Sequence, residues 1–260
     1  VYIIGDIHGH YGRLIALLQN ARLMGDDLAW AGGDSTLWFM GDLFDRGPDG
    51  ISVVNLVMRL QREAKAAGGR VEALIGNHEL TLLSAHYFGQ QASTGPGRTF
   101  YADWKRNGGI DQDLARLTDQ HVEWLSNLRA MVKIDGRLLA HADALAYTRY
   151  GLSVDEANDG FATLLQNQDA KAWDEALEAF SEHEAFIDSR EDGASRAEAF
   201  LRVYGAEQLI HGHTPISKVT KQPARSVTSA LVYANGRCVN VDGGIYQGGP
   251  GFVYEVPVLI

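Results

Sequence analysis

Apolar and polar positions over the first eighty residues switch between two periods. Residues 1–5 form a short apolar run that closes on Gly-Asp. Within 13–24, Leu14, Leu17, Leu18 and Ala21 recur at helical spacing. Residues 36–41 are a second apolar run leading into Gly41-Asp42. The helical period returns over 51–67 through Val54, Val57 and Met58, and Gly68-Gly69 stops it. Residues 71–76 are a third apolar run, closing on Gly-Asn. Strand, helix, strand, helix, strand predicts a layered α/β domain. In such a sheet ligands gather at the carboxyl ends of strands, and three strands here deliver polar residues to that end.

The middle of the chain has weaker periodicity. Residues 86–109 read as loop, with Ser-Thr-Gly-Pro-Gly at 93–97. A helix is predicted over 119–128. A hairpin is predicted from 131–135 and 137–142, turning on Asp135-Gly136. Residues 154–184 are polar, acidic and helical in pattern, and 195–204 read as another short helix. Strands are expected at 208–211, 226–233, 237–241 and 252–256, with Asn235-Gly236 joining two of them as a hairpin. No repeat, low-complexity tract or linker interrupts the chain. The expectation is one domain over 1–260 with an inserted helical cap at about 144–205.

Composition narrows the function. With 45% apolar residues in 260, the chain can bury a full core, which excludes disorder. No run of eighteen apolar residues exists, so no membrane partner is expected. Cys238 is the single cysteine, which excludes a disulfide framework and a cysteine-rich zinc site. The formal net charge of −10 argues against broad binding to nucleic acid. The cytoplasm is the expected location. Val1 leads straight into a strand-like run, which also fits a leader cleaved ahead of it.

The candidate chemistry lies at five strand ends. Asp6-Ile7-His8 follows the first run; two such side chains on a turn can reach one cation. Asp42-Leu43-Phe44-Asp45-Arg46-Gly47 follows the second run and Asn77-His78-Glu79 the third. His141-Ala142-Asp143 and His211-Gly212-His213-Thr214-Pro215 follow two later ones. Each alone reads as a turn or a lone histidine; five at strand ends do not. Rival phosphatase chemistries are absent. Cysteine phosphatases need Cys-x5-Arg, but six residues after Cys238 stands Gly244. Asp42 and Asp45 are three apart rather than D-x-D, and no G-x4-G-K-[ST] loop exists.

Gly5-Asp6-Ile7-His8-Gly9, Gly41-Asp42 through Gly47, and Gly76-Asn77-His78-Glu79 resemble the signature blocks of calcineurin-like metallophosphoesterases. Asp45-Arg46-Gly47 and Asn77-His78-Glu79 are similar to the phosphoprotein phosphatase branch. His141-Ala142-Asp143 and Gly212-His213-Thr214-Pro215 resemble its small bacterial and phage lambda phosphatase-like members. The tail Val241-Asp242-Gly243-Gly244 is similar to the family's closing strands. The resemblance is faint over 86–130 and 144–205.

The resemblance implies an α/β sandwich of two mixed sheets flanked by helices, and a dinuclear metal site. Asp6 and His8 would hold the first ion, Asp42 would bridge, and Asn77, His141 and His213 would complete the second. Carboxylate, amide and imidazole donors suit manganese, with iron or zinc as alternatives. A bridging hydroxide would attack phosphorus directly. His78 would be the leaving-group acid, oriented by Asp45; a bare Asx turn is the other reading of Asp45. Arg46 would fork onto phosphate oxygens, and Arg190 is expected as the second phosphate arginine, with Arg149 as its rival. Pro215 stands where some branches carry a further histidine. His211 is read as a strand-end residue rather than a partner of the site, Asp143 has no assigned role, and the five tryptophans read as packing.

These readings make the chain a hydrolase: a metal-dependent phosphomonoesterase, expected to act on phosphoserine or phosphothreonine in proteins. The alternative is a diadenosine tetraphosphate hydrolase or another small-phosphoester hydrolase on the same motifs. Those hydrolases tend to carry His-Ala-Gly where this chain has His141-Ala142-Asp143. A non-catalytic scaffold should have lost ligands or the His–Asp pair, and none is lost here.

Overall fold

The computed structural model describes residues 1–187 and 192–257. The expected opening appears as β1 (Tyr2–Ile4), α1 (Tyr11–Asn20), β2 (Thr36–Phe39), α2 (Gly50–Ala66) and β3 (Arg70–Ala73). After α3 (Asn77–Phe88), α4 (Phe100–Arg106), α5 (Asp111–Arg116) and α6 (Asp119–Ser126) comes the hairpin β4 (Met131–Ile134) and β5 (Arg137–Ala140). Asp135 and Gly136 both take positive φ, 46° and 77°, as a two-residue hairpin turn requires. Then follow α7 (Val154–Gln166), α8 (Ala170–Ala179), α9 (Gly193–Val203), β6 (Gln208–His211), α10 (Ile216–Thr220), β7 (Leu231–Tyr233), β8 (Cys238–Asn240) and β9 (Val253–Glu255).

The strands form two mixed sheets, in the orders β3-β2-β1-β9 and β4-β5-β6-β8-β7. In the first, β1–β2 and β2–β3 are parallel, and β9 adds antiparallel to β1 with Tyr2 opposite Glu255. In the second, β5, β6 and β8 run parallel, with β4 and β7 antiparallel at the edges. Period-two alternation explains the layers. Ile3, Trp38, Leu139, Ile210 and Val239 form one apolar cluster between the sheets. Their neighbours Ile4, Leu37, Phe39, Leu138 and Leu209 point to the opposite faces and join a larger cluster with the helices. Both faces of the central strands are thus buried, so they read as unbroken apolar runs.

Three segments depart from expectation. The stretch at 86–109 is not all loop: α3 runs on to Phe88, and α4 starts where the Thr99 hydroxyl accepts from the Ala102 amide at 3.1 Å. A short helix beside a Gly-Pro stretch gives too few turns to show a period. The 154–184 run is two helices rather than one, because the Asp169 carboxylate caps a new start by accepting from the Lys171 amide. Of 226–233, only Leu231–Tyr233 is strand. Between β5 and β6, Phe161, Trp173 and Phe200 of the helices and Phe186 of a turn join the larger cluster, so these elements pack into the main body.

The start of α2 sets the turn that carries the second motif. Asp49 accepts from the Ser52 amide (3.0 Å) and hydroxyl (2.7 Å) and from Arg116 (2.8 Å). Burial raises its pKa, but these three donors outweigh it and hold the carboxylate below its ordinary value. A depressed folded pKa contributes stability above the unfolded value of about 3.9, and loses it as pH falls through the folded one. Asp49→Ala is therefore expected to cost about 1 kcal/mol near pH 7. Denaturant melts of chelated protein should show that gap closing below about pH 4.

Candidate active site

Five backbone turns bring the predicted residues together. His8, Asp42, Asp45, Arg46 and His213 all sit in the left-handed region, with φ of 48°, 53°, 65°, 63° and 70°. Asp and His tolerate that region better than most residues, but each instance is strained and persists only where surroundings enforce it. The enforcement is visible. The Ile7 and His8 amides both donate to the Asp42 carbonyl, at 3.1 and 2.8 Å, locking the first turn to the second. Glu79 locks the second to the third: its carboxylate accepts from the Asp42, Leu43 and Gly76 amides at 2.8, 2.7 and 2.8 Å. Sequence reading gave Glu79 no role; nothing in its spacing distinguishes it from an ordinary acidic residue in a first helical turn.

One group of donors is tight. The His141 Nδ1–H donates to the Met40 carbonyl at 2.8 Å, which turns bare Nε2 inward. That nitrogen lies 3.0 Å from Asn77 Oδ1, 3.1 Å from His213 Nδ1 and 3.3 Å from Asp42 Oδ1. Asn77 Oδ1 and His213 Nδ1 are 2.9 Å apart. Donors ~2.1 Å from one ion stand roughly 3.0–3.4 Å from each other in octahedral or tetrahedral shells. These four atoms have the spacing a single cation needs.

The second group is wider. The His8 Nδ1–H donates to the Phe44 carbonyl at 2.8 Å, leaving Nε2 free. Nε2 lies 3.9 Å from Asp6 Oδ2 and 3.7 Å from Asp42 Oδ2. Asp6 Oδ2 is buried and has no hydrogen-bond partner, as expected of a ligand oxygen. Asp42 thus offers Oδ1 to one group and Oδ2 to the other. Arg46 Nη1 sits 3.1 Å from His8 Nε2, so a cation at that nitrogen requires Arg46 to let go. The guanidinium also stacks 4.4 Å from the ring centre of Tyr246.

The electrostatics fit cations. Asp6, Asp42, Glu79 and Asp242 are all fully or almost fully buried. Burial first, and then the neighbouring carboxylates Asp242 and Asp42, push Asp6 well above its ordinary value. Glu79 and Asp242 are each pushed up to about 7, again mainly by burial. Burial raises Asp42 too, but any positive charge on the four surrounding histidines, His141 first, outweighs it, so Asp42 lies far below. Burial lowers His8, His141 and His213, which keeps their imidazoles neutral, the form that ligates metal. Buried carboxylates facing neutral imidazoles make a site short of positive charge, and divalent ions supply it.

His78 stands apart. Its Nδ1 is 2.7 Å from Asp45 Oδ2, and Nε2 is buried without a partner, 3.9 Å from Asp42 Oδ2. Burial lowers its pKa, but Asp42 and then Asp45 raise it further, so the net shift is upward. Asp45 is no bare turn residue: its other oxygen accepts from the Trp104 indole at 2.9 Å. Trp104, read as packing, therefore braces the pair. Trp104→Phe should strand a buried carboxylate oxygen and cost about 1–3 kcal/mol, measurable by denaturant melts, with a parallel loss of turnover.

The remaining residues sort unevenly. Arg149 is exposed and lines a cleft with Tyr150, Gly160 and Glu175, away from the donors. Arg190 lies outside the described residues. His211 is not a simple strand-end residue: its Nε2 is 2.8 Å from the Tyr233 hydroxyl, which donates to Asp143 at 2.7 Å. Asp143 Oδ1 accepts from the Glu184 amide at 3.0 Å, which ties the segment around His183 to the strand end carrying His141. His183 is exposed, with its ring centre 5.9 Å from that of His213.

The sandwich and its paired donor groups define a metal-dependent phosphoric ester hydrolase. The model of the calcineurin-like phosphoesterases matches residues 1–217, and the chain belongs to that family. Membership implies a dinuclear centre of divalent ions. Shewanella-like protein phosphatase 1 of Plasmodium berghei is 27% identical over 94% of this chain and 67% of its own length. A symmetrical bis(5′-nucleosyl)-tetraphosphatase of Salmonella paratyphi A is 42% identical over 83 residues, which are 32% of this chain and 24% of the relative. Among solved structures, the cold-active protein-tyrosine phosphatase of a psychrophilic Shewanella species superposes with TM-score 0.73 at 22% identity. That superposition covers 97% of this chain and 73% of the other. No helix among the described residues is long and apolar enough to cross a membrane.

Proposed function

We propose that this chain hydrolyses phosphomonoesters of serine and threonine in proteins, with manganese as the working metal. Asp6 and His8 would hold one ion, Asn77, His141 and His213 the other, and Asp42 would contribute to both. When bound, the ions supply Lewis acidity and bring the pKa of water from about 15.7 towards 7. The protein's own residues do the rest. Arg46 swings from His8 to fork onto phosphate oxygens, and Tyr246 supports its plane. His78 donates a proton from Nε2 to the departing alkoxide, and Asp45 keeps the other nitrogen as the anchored one. His183, exposed and near His213, stands at the edge of the site.

The observation that carries this reading is the buried, unpartnered Nε2 of His78 on an imidazole pinned by Asp45. Such a donor matters most for a poor leaving group. A serine or threonine alkoxide needs the proton; tyrosine phenolate, with a pKa of about 10, needs it less. The relative named a protein phosphatase, matched over nearly all of this chain, supports a protein substrate. A second reading, hydrolysis of a dinucleoside tetraphosphate, is favoured by the 42% identity over 83 residues with a protein named for it. Manganese-loaded protein offered a phosphothreonine peptide, a phosphotyrosine peptide and diadenosine tetraphosphate at equal concentration separates these. Fastest release from the phosphothreonine peptide is expected, and none with chelator. Faster cleavage of the dinucleotide would replace the first reading with the second.

A further inference from the structure

The strand ends of β1, β6 and β8 meet behind Asp6, and they leave three buried polar atoms without partners. These are Asp6 Oδ2, Thr214 Oγ1 and Asp242 Oδ2. The approach is close. A Cβ on Gly5 would fall 2.4 Å from the Val241 carbonyl oxygen and 3.0 Å from Asp242 Cα, so only glycine lets β1 sit against the 241–242 backbone. On the other side the His213 amide donates to Asp6 Oδ1 at 3.0 Å, and the Ile216 amide donates to the Asp242 carbonyl at 3.1 Å. Asn240 Nδ2 donates to the Thr214 carbonyl at 2.7 Å, which fixes Thr214 in the same corner.

Asp242 is fully buried and half satisfied. Its Oδ1 accepts from the Gly244 amide at 2.8 Å, which accounts for a turn and nothing more. An Asn or a Ser would close that turn as well. The second oxygen and the negative charge have no structural use in view, and an unpaired carboxylate in the interior is costly. Of the neighbouring charges acting on Asp6, that of Asp242 is the strongest. Asp6 already shares the corner with Asp42, and the arginine near them, Arg46, is turned towards His8. A third carboxylate in that place makes the corner more anionic than two protein ligands require.

We propose that Asp242 backs the cation site formed by Asp6 and His8, its buried, unpartnered carboxylate raising the affinity for that ion selectively. The inference rests on the two-cation reading above. The tight group of Asn77, His141 and His213 stands on its own donors, so it should be affected far less.

Chelated protein titrated with Mn²⁺, read by calorimetry and by elemental analysis after gel filtration, tests both levels. Wild type should bind two ions; binding of none would sink the two-cation reading itself. With two bound, Asp242→Asn and Asp242→Ser should each weaken one ion by about 10–100-fold and leave the other within a few-fold. The melting temperature of the chelated variants should not fall, because the turn survives and a buried charge is gone. Unchanged affinity for both ions would overturn the proposal. So would loss of the chelated fold in both variants, since Asp242 would then serve the turn alone.

Discussion

His78→Asn is expected to leave both cations in place and to lower turnover of alkyl phosphates by roughly 10²–10⁴-fold. p-Nitrophenyl phosphate should lose far less, because its leaving group departs without a proton. Asparagine keeps a polar group of similar reach towards Asp45 but carries no transferable proton. The contrast has force because His78 has a second geometric reading. With His8 and Asp42 it forms a triad of nitrogen and oxygen atoms close enough to hold an ion. If His78 were a ligand, the variant would lose metal and both substrates would suffer equally. Elemental analysis beside the two rate constants therefore decides between acid and ligand.

Asp42→Asn should be more severe. Asp42 alone contributes to both donor groups, with Oδ1 3.3 Å from His141 Nε2 and Oδ2 3.7 Å from His8 Nε2. The substitution removes one negative charge and points an amide N–H at an imidazole lone pair. Metal content is expected to drop by at least one ion per chain, with activity on every phosphoester falling roughly 10³-fold or more. Full metal content by mass spectrometry would end the bridging assignment. The backbone should survive, because the Asp42 amide and carbonyl hold the neighbouring turns, and the Asn oxygen can still accept from the His78 amide as Asp42 Oδ1 does at 3.0 Å.

What could be read in advance follows from where the signal resides. The outer framework was legible because buried parallel strands leave unbroken apolar runs and α2 spans enough turns to show its period. The clustering of Asp6, His8, Asp42, Asn77, His141 and His213 was legible because each falls one to four residues past a strand, and geometry brings strand ends together. The supporting residues were not. Trp104 sits in a seven-residue helix far along the chain from Asp45, and only tertiary packing brings its indole there. Asp242 and Tyr246 lie in a Gly-rich tail whose pattern says turn. The His211–Tyr233–Asp143 chain joins three strand ends through side chains, and sequence spacing carries no trace of such pairings.

The register of the first sheet has a consequence for the order of assembly. β1 carries Asp6 and His8, and one of its two edges pairs with β9, Tyr2 opposite Glu255 and Ile4 opposite Val253. The partners are thus supplied from opposite ends of the described chain. During synthesis β1 can pair with β2 early, but its other edge stays open until residue 253 has left the ribosome. The turn carrying the first donors would be among the last of the described parts to become rigid. A nascent chain would then complete the site of Asn77, His141 and His213 before the one of Asp6 and His8.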